Sequence, residues 1–439
     1  MKIGIIGAGM MGLALGYRLS KKGYQVHILE AEEQIGGLST WFDYGDFTWD
    51  KYYHVILKSD SHLLGLIDEL GLTEKLIWTP TKTGFLWRGK LISMSNYWEF
   101  LKFPALNFFQ KLRLGFGILY SQYFVKPKNL ESIPAKTWLK RVFGKGVFEV
   151  IWEPLLESKF GVLKDQVPAT IIASTLNRYY STRDKGGGKE WMGHLKGSGL
   201  KPLFEALEKE IVKRGGKVEC HAAVKSIDDS DPKSLSVETA KGSYQFDTLY
   251  STLPTAILQR IAPNLHFEAV SSKKPKFLGV IRLALVLKRS LSPYYVTNLI
   301  DRGNPYTGII EVSALTLSEE LQGKHLVMIP RYDVPDSEWF MKSDEEVKQS
   351  FISSIEKSWP NIEEEIIHSY VHRAPVVQAL WIDSPPDTQY PAHTKDGRIL
   401  SINAELAGRD TLNNNALVGV ANHITDEIHE KIKNQIKRH

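Results

Sequence analysis

A chain of 439 residues exceeds what one hydrophobic core usually supports and predicts two domains. Its 55 basic and 50 acidic side chains leave a formal net charge of +5 with no long block of like charge, which argues against nucleic-acid binding. The 43% hydrophobic fraction is that of an ordinary globular protein, and the single cysteine, Cys220, excludes an internal disulfide and fits a reducing, cytoplasmic compartment.

The opening MKIGIIGAGMMGLALGYRLSKKGYQVHILE is apolar, but it reads poorly as a signal peptide or membrane anchor. Gly4, Gly7, Gly9 and Gly12 interrupt it, and Lys21 and Lys22 end it short of the about 20 apolar residues that a span requires. The pattern predicts a β-branched strand over 2–6, a helix over 10–20 and a second strand over 25–30. Gly7, Gly9 and Gly12 then occupy the turn between strand and helix. Gly7 permits the tight turn, Gly9 lets a pyrophosphate approach the backbone, and Gly12 lets the helix lie close to the strand. The helix start offers open N–H groups to phosphates. Glu30 closes the second strand, where a carboxylate can accept both ribose hydroxyls. These features suit NAD and FAD equally.

The next residues, EAEEQIGGLS, place Gly36 and Gly37 just beyond Glu30. This ExxxxxGG continuation resembles the FAD-binding fingerprint of the flavin amine oxidase superfamily. That superfamily includes amine oxidases, phytoene desaturases, protoporphyrinogen oxidase and UDP-galactopyranose mutase. The resemblance continues through WDKYYHVI (49–56), WEPLLESKFG (152–161), the stretch 194–227, the stretches 294–315 and 327–333, and GRILSINAELAGRDTLNNNALVGVANHITDEI (397–428). Two departures stand out. Gln34 replaces a usual basic residue, and Thr411 and Leu412 replace an Arg-Gly pair between Asp410 and Asn414.

Further elements follow in order. The segment 96–128 is dense in aromatics with interspersed lysines and arginines, broken by Pro104 and two glycines. It reads either as a helical pair roofing the substrate cavity or as a peripheral contact with the inner face of a membrane, which related flavoenzymes with lipophilic substrates make with a comparable region. DKGGGKEWMGHLKGSG (184–199) reads as a loop between domains. FLGVIRLALVLK (277–288) predicts a long strand, and 344–359 predicts an amphipathic helix capped by Ser343 and stopped before Pro360. The C-terminal stretch predicts a strand, a loop and a helix beginning and capped near Asn414.

The fold expected is α/β. A discontinuous Rossmann-like FAD domain takes 1–75, 195–270 and 390–439, and an α+β substrate domain takes 76–194 and 271–389. The resemblance implies non-covalent FAD, held by Gly7, Ala8, Gly9, Met10, Met11 and Gly12, by Glu30 and Ala31, and by Gly36, Gly37 and Leu38. Tyr53 and His54 would pass beside the flavin ring, Val224 would sit against the adenine, and Asn403, Ala404, Asn414 and Asn415 would close the site. His54, Arg331 and Tyr332 are the catalytic candidates, with Tyr295 and Glu311 at the substrate. No CxxC or HExxH spacing is present, so no metal is expected. The expected activity is removal of a hydride from a C–C or C–N bond of a small or lipophilic substrate, with the electron acceptor unknown. A flavin-dependent UDP-sugar mutase and a non-catalytic FAD-bound scaffold are the alternatives.

Overall fold

Lys2–Ile6 is buried from its second residue onward, and it lies in the middle of a seven-stranded sheet. The order is Phe267–Glu268, Ala392–Thr394, Ile399–Ser401, Thr248–Ser251, Lys2–Ile6, Gln25–Leu29, Lys217–Glu219. The last five strands run parallel, and the first two add an antiparallel edge. The helix Met10–Lys21 covers one face together with Lys201–Lys213 and the C-terminal helix Asn414–Ile436. A three-stranded antiparallel sheet of Val224–Asp228, Leu235–Thr239 and Gly242–Phe246 closes a second core around Phe246 and Leu249. The computed structural model describes residues 1–183, 189–268, 274–382, 391–407 and 412–436.

A second seven-stranded sheet, mostly antiparallel, is built around Lys276–Leu287. That strand pairs with Ile366–Leu380 on one side and His325–Asp333 on the other. Gly308–Glu311, Val296–Leu299, Thr83–Trp87 and Lys90–Ser93 complete it. Alternate residues of the long strand serve two cores, as a strand's period of two requires. Ile281, Leu283, Leu285 and Leu287 face the amphipathic helix Asp344–Glu356, while Ala284 and Val286 face the chain around Trp49 and Tyr295. Ser343 caps that helix through a reciprocal capping box with Glu346. A helical layer of Ala135–Phe143, Glu153–Phe160 and Ala169–Tyr180 packs on a further core around Trp138 and Phe143.

One sequence expectation fails here. Of the presumed interdomain loop, 184–188 lies outside the described residues, but Glu190–Leu195 is a strand. It pairs antiparallel with Leu76–Thr81, and Gly193 exchanges backbone hydrogen bonds with Ile56. The glycine serves a close contact rather than a turn: a Cβ there would lie 3.1 Å from the Trp78 ring.

Candidate active site

The glycine turn forms a cradle that only glycine can build. Gly7 adopts φ +99°, and a Cβ on Gly12 would lie 1.9 Å from the Gly7 carbonyl oxygen. Gly9 caps the helix Met10–Lys21 with no side-chain hydrogen bond and no acidic residue in the first turn, so no side chain occupies its open N–H groups. Gly36 N–H donates to the Ala8 carbonyl at 2.9 Å, which seats the second glycine pair beside the first. Glu30 is 9% exposed; it accepts from Ala8 N–H at 2.6 Å and from Glu32 N–H at 3.1 Å. Its carboxylate keeps lone pairs for ribose hydroxyls. Ala31 and Gly37 are exposed, and Val224 is half-buried at the start of its strand. The bare cradle, the helix start and the carboxylate together fit a dinucleotide.

Gly9, Met10, Met11, Gly36 and Leu38 continue into a cavity of about 580 Å³. Apolar side chains from the helical layer form its far wall, among them Leu155, Leu156, Phe160, Ile171, Ile172 and Leu176. Tyr53, His54, Tyr295 and Tyr332 also line it. The Tyr53 and Tyr332 hydroxyls lie 2.6 Å apart. Burial pushes Tyr332 up to about 12 and raises Tyr53 and Tyr295 well above the ordinary tyrosine value, so all three are neutral donors at physiological pH.

His54 is held in a polar chain. Ser39 Oγ donates to Asn414 Oδ1 at 3.0 Å, which leaves His54 Nε2 to donate to Ser39 across 3.3 Å. His54 Nδ1 faces Asp50 Oδ2 at 3.7 Å. Burial pushes the Asp50 carboxyl upward, and its other oxygen accepts from Leu200 N–H at 2.8 Å. His54 and the buried Asp50 carboxyl thus lie side by side at the cavity edge.

Several expected residues lie elsewhere. Arg331 does not line the cavity; it pairs with Asp333 Oδ2, donates to the Pro305 carbonyl and lies over the Trp339 ring. Its neighbour Tyr332 points inward, because successive residues of a strand face opposite sides. Glu311 is fully buried away from the cavity and accepts from Leu291 N–H. Asn403 spends its amide on Leu253, Thr255 and Ser401, leaving Ala404 to reach the cavity. Asn415 caps a different helix, Ser61–Glu69, by accepting from His62 and Leu63 N–H. The cap of the C-terminal helix is Asn413, which accepts from Ala416 N–H at 3.0 Å, and not Asn414. Asp410 lies outside the described residues.

The cavity also contains residues that sequence reasoning missed: Ser39, Lys159, Arg178, Tyr179 and Arg282. Arg282 carried a signal, as the one charge inside the otherwise apolar stretch FLGVIRLALVL. Lys159, in a mixed helix, carried none.

A glycine cradle on a parallel nucleotide-binding sheet, opening directly into an apolar cavity, defines a cofactor-dependent redox enzyme. The chain belongs to the flavin-containing amine oxidoreductases, a family whose pattern matches residues 10–399. It is therefore a flavin-dependent oxidoreductase. The 15-cis-phytoene desaturase of Arabidopsis thaliana is 24% identical to it over 390 residues, 82% of this chain and 67% of that one. A solved oxidoreductase from Methanosarcina mazei superposes with a TM-score of 0.73 at 18% identity, covering 97% of this chain and all of the other. Reduced UDP-galactopyranose mutase superposes with a TM-score of 0.69 at 16% identity, over 98% and 94% of the two chains. At these identities the structural likenesses show a shared fold.

Proposed function

We propose that the chain binds FAD non-covalently and transfers a hydride to it from a C–C or C–N bond of a lipophilic substrate. The observation that carries this reading is the continuity of the glycine cradle with an apolar cavity lined by neutral tyrosines. Bound flavin supplies the hydride acceptor. The chain's own groups orient the substrate, exclude water, and set His54 beside the buried Asp50 carboxyl at the cavity edge. Cys220 does not line the cavity, and burial raises its thiol above the ordinary value, which disfavours a covalent link. A UDP-sugar mutase would place an arginine beside a tyrosine at its nucleotide diphosphate, and Arg331, next to Tyr332 in sequence, faces away from the cavity.

A second element of the proposal is membrane contact. The helix Phe108–Phe124 leaves Phe109, Phe116, Tyr123 and Phe124 between 59% and 79% exposed, next to Trp98 at 74%. Exposed Lys102, Arg113, Lys126 and Lys128 accompany them. No helix among the described residues is long and apolar enough to cross a membrane. An aromatic face with basic neighbours suits an anionic lipid surface, and this helix packs on Ala169–Tyr180, which walls the cavity.

The test is spectroscopic. Heat denaturation should release yellow FAD into the supernatant, and anaerobic addition of substrate should bleach the oxidised flavin band near about 450 nm. Colour retained on the precipitate, or release of FMN, overturns the cofactor assignment. A cofactor that no C–H donor reduces overturns the activity.

A further inference from the structure

The cavity is electrically one-sided. Among the described residues its lining includes Lys159, Arg178, Arg282 and His54, and no aspartate or glutamate. Two of these groups have a carboxylate beside them. Arg178 makes a two-pronged pair with Asp60, at 2.9 and 3.2 Å, and His54 faces Asp50. The other two have none. Arg282 has no exposed surface; its guanidinium donates to Tyr44 Oη at 2.8 Å and lies 2.7 Å from His372 Nδ1, and its Nε has no partner. Neither neighbour neutralises it. His372 is driven down to about 3 by burial and then by Arg282, and the buried Tyr44 hydroxyl is pushed up, so both are uncharged. Lys159, on the helix Glu153–Phe160, makes no ion pair among the described residues; its Nζ sits 3.0 Å from the centroid of the Tyr332 ring.

These two basic groups share one wall. In the second sheet Val280 pairs with Tyr332 and Arg282 with Pro330, and all four line the cavity. Arg282 is therefore one diagonal step from the ring that Lys159 covers. An uncompensated guanidinium in a dry interior is costly and is normally matched by an anion. A cationic amine entering here would meet the Arg282 guanidinium and the basic Lys159 amine, with no carboxylate in the lining. The remaining lining is apolar, which leaves room for a hydrocarbon body.

We propose that the substrate is an amphipathic carboxylate, whose acid group pairs with Lys159 above Arg282 while its apolar body lies along the helical wall. Lys159 is a substrate-binding and specificity residue on this assignment, and the carboxylate itself undergoes no bond change. The inference rests on the flavin oxidoreductase reading, and the two fail differently. A chain that takes up no FAD overturns that reading. An FAD-loaded chain that ignores a carboxylate overturns this one.

The experiment uses the FAD-loaded protein and three probes of equal length, decanoate, decanamide and decylamine, each below its micelle-forming concentration. Binding is followed by perturbation of the flavin spectrum and by the fluorescence of tryptophan, since Trp152 lines the cavity. Decanoate should bind at least about tenfold more tightly than either other probe. Lys159→Met should remove that preference while leaving decanamide binding unchanged, and Lys159→Arg should restore it. Met keeps most of the volume of Lys159 and removes an amine that burial already pushes toward its neutral form, so the variant is expected to fold. Equal or tighter binding of decylamine overturns the proposal. So does decanoate affinity that survives Lys159→Met, or decanoate binding confined to flavin-free protein, which would assign the two basic groups to the cofactor.

Discussion

Burial acts on Glu311 and Lys159 in opposite senses: it pushes the carboxyl up to about 7 and the amine down to about 7. Folded Glu311 keeps a proton between about 4.5 and 7 that the unfolded chain has lost. Stability from this group is complete below about 4.5 and falls as pH rises through about 7. Glu311→Gln should therefore be the more stable protein above pH 7 by roughly 1–3 kcal/mol, and near neutral in effect at acid pH. Lys159 works the other way. The unfolded chain holds a proton between about 7 and 10.5 that the folded amine lacks, so stability rises with pH across that window. Lys159→Met should exceed the wild type in stability below pH 7, with the gap closing toward pH 10.5. Urea melts of both variants against pH check the two slopes, and parallel curves would contradict both. At Glu30 the prediction concerns affinity. Loss of a carboxylate that bonds two ribose hydroxyls should weaken FAD binding by roughly 2–4 kcal/mol, about 30- to 1000-fold. Glu30→Ala that keeps full flavin occupancy on dilution would show that the ribose sits elsewhere.

Two helices have testable ends or faces. In Asn414–Ile436 the cap and the cavity contact fall on adjacent residues, which separates their effects. Asn413→Ala should cost about 1 kcal/mol of stability, the usual value of a cap. Asn414→Leu keeps the cap and removes the partner of Ser39, so it should leave the melting curve unchanged. It should also lower the flavin reduction potential and slow reduction by substrate. An unchanged potential would place the flavin ring away from this helix start. For Phe108–Phe124 the relevant quantity is the exposed aromatic face. The protein should float with vesicles containing phosphatidylglycerol and less so with phosphatidylcholine alone. The double change Phe109→Glu and Phe116→Glu removes about 1.5–3 kcal/mol of apolar transfer per ring and should abolish flotation without changing flavin content. Flotation that survives it would assign the face to another partner.

At the scale of the whole molecule, the cofactor should act as a stabilising ligand, because the proposed site draws on distant stretches of chain: Gly9–Met11, Gly36, Ala404 and the start of the C-terminal helix. FAD at about 100 times its dissociation constant should add about 2.7 kcal/mol and raise the melting temperature. FMN, which lacks the adenosine half, should add less. Equal stabilisation by the two would argue against a role for Glu30 and the cradle.

The sequence alone determined the Rossmann-like sheet and its glycine turn. Gly7, Gly9, Gly12 and Glu30 act through local geometry, in a turn, a close approach and a strand end, and such requirements are written in consecutive residues. The same holds for the Ser343 cap and the long strand. The second sheet and the lining of the cavity were decided by tertiary structure. Whether Arg331 or Tyr332 faces the cavity depends on strand parity against Lys276–Leu287, and no local pattern around Val327–Asp333 sets that parity. Glu190–Leu195 is a strand because Leu76–Thr81 offers it an edge far away in sequence. The adjacent asparagines 413, 414 and 415 are chemically identical, and a helix turns each to a different neighbour, which gives one to the cap, one to Ser39 and one to Ser61–Glu69. The uncompensated basic groups of Lys159 and Arg282 come together only when a helix is laid across a sheet, because a counterion's absence is a property of three-dimensional surroundings and not of neighbours along the chain.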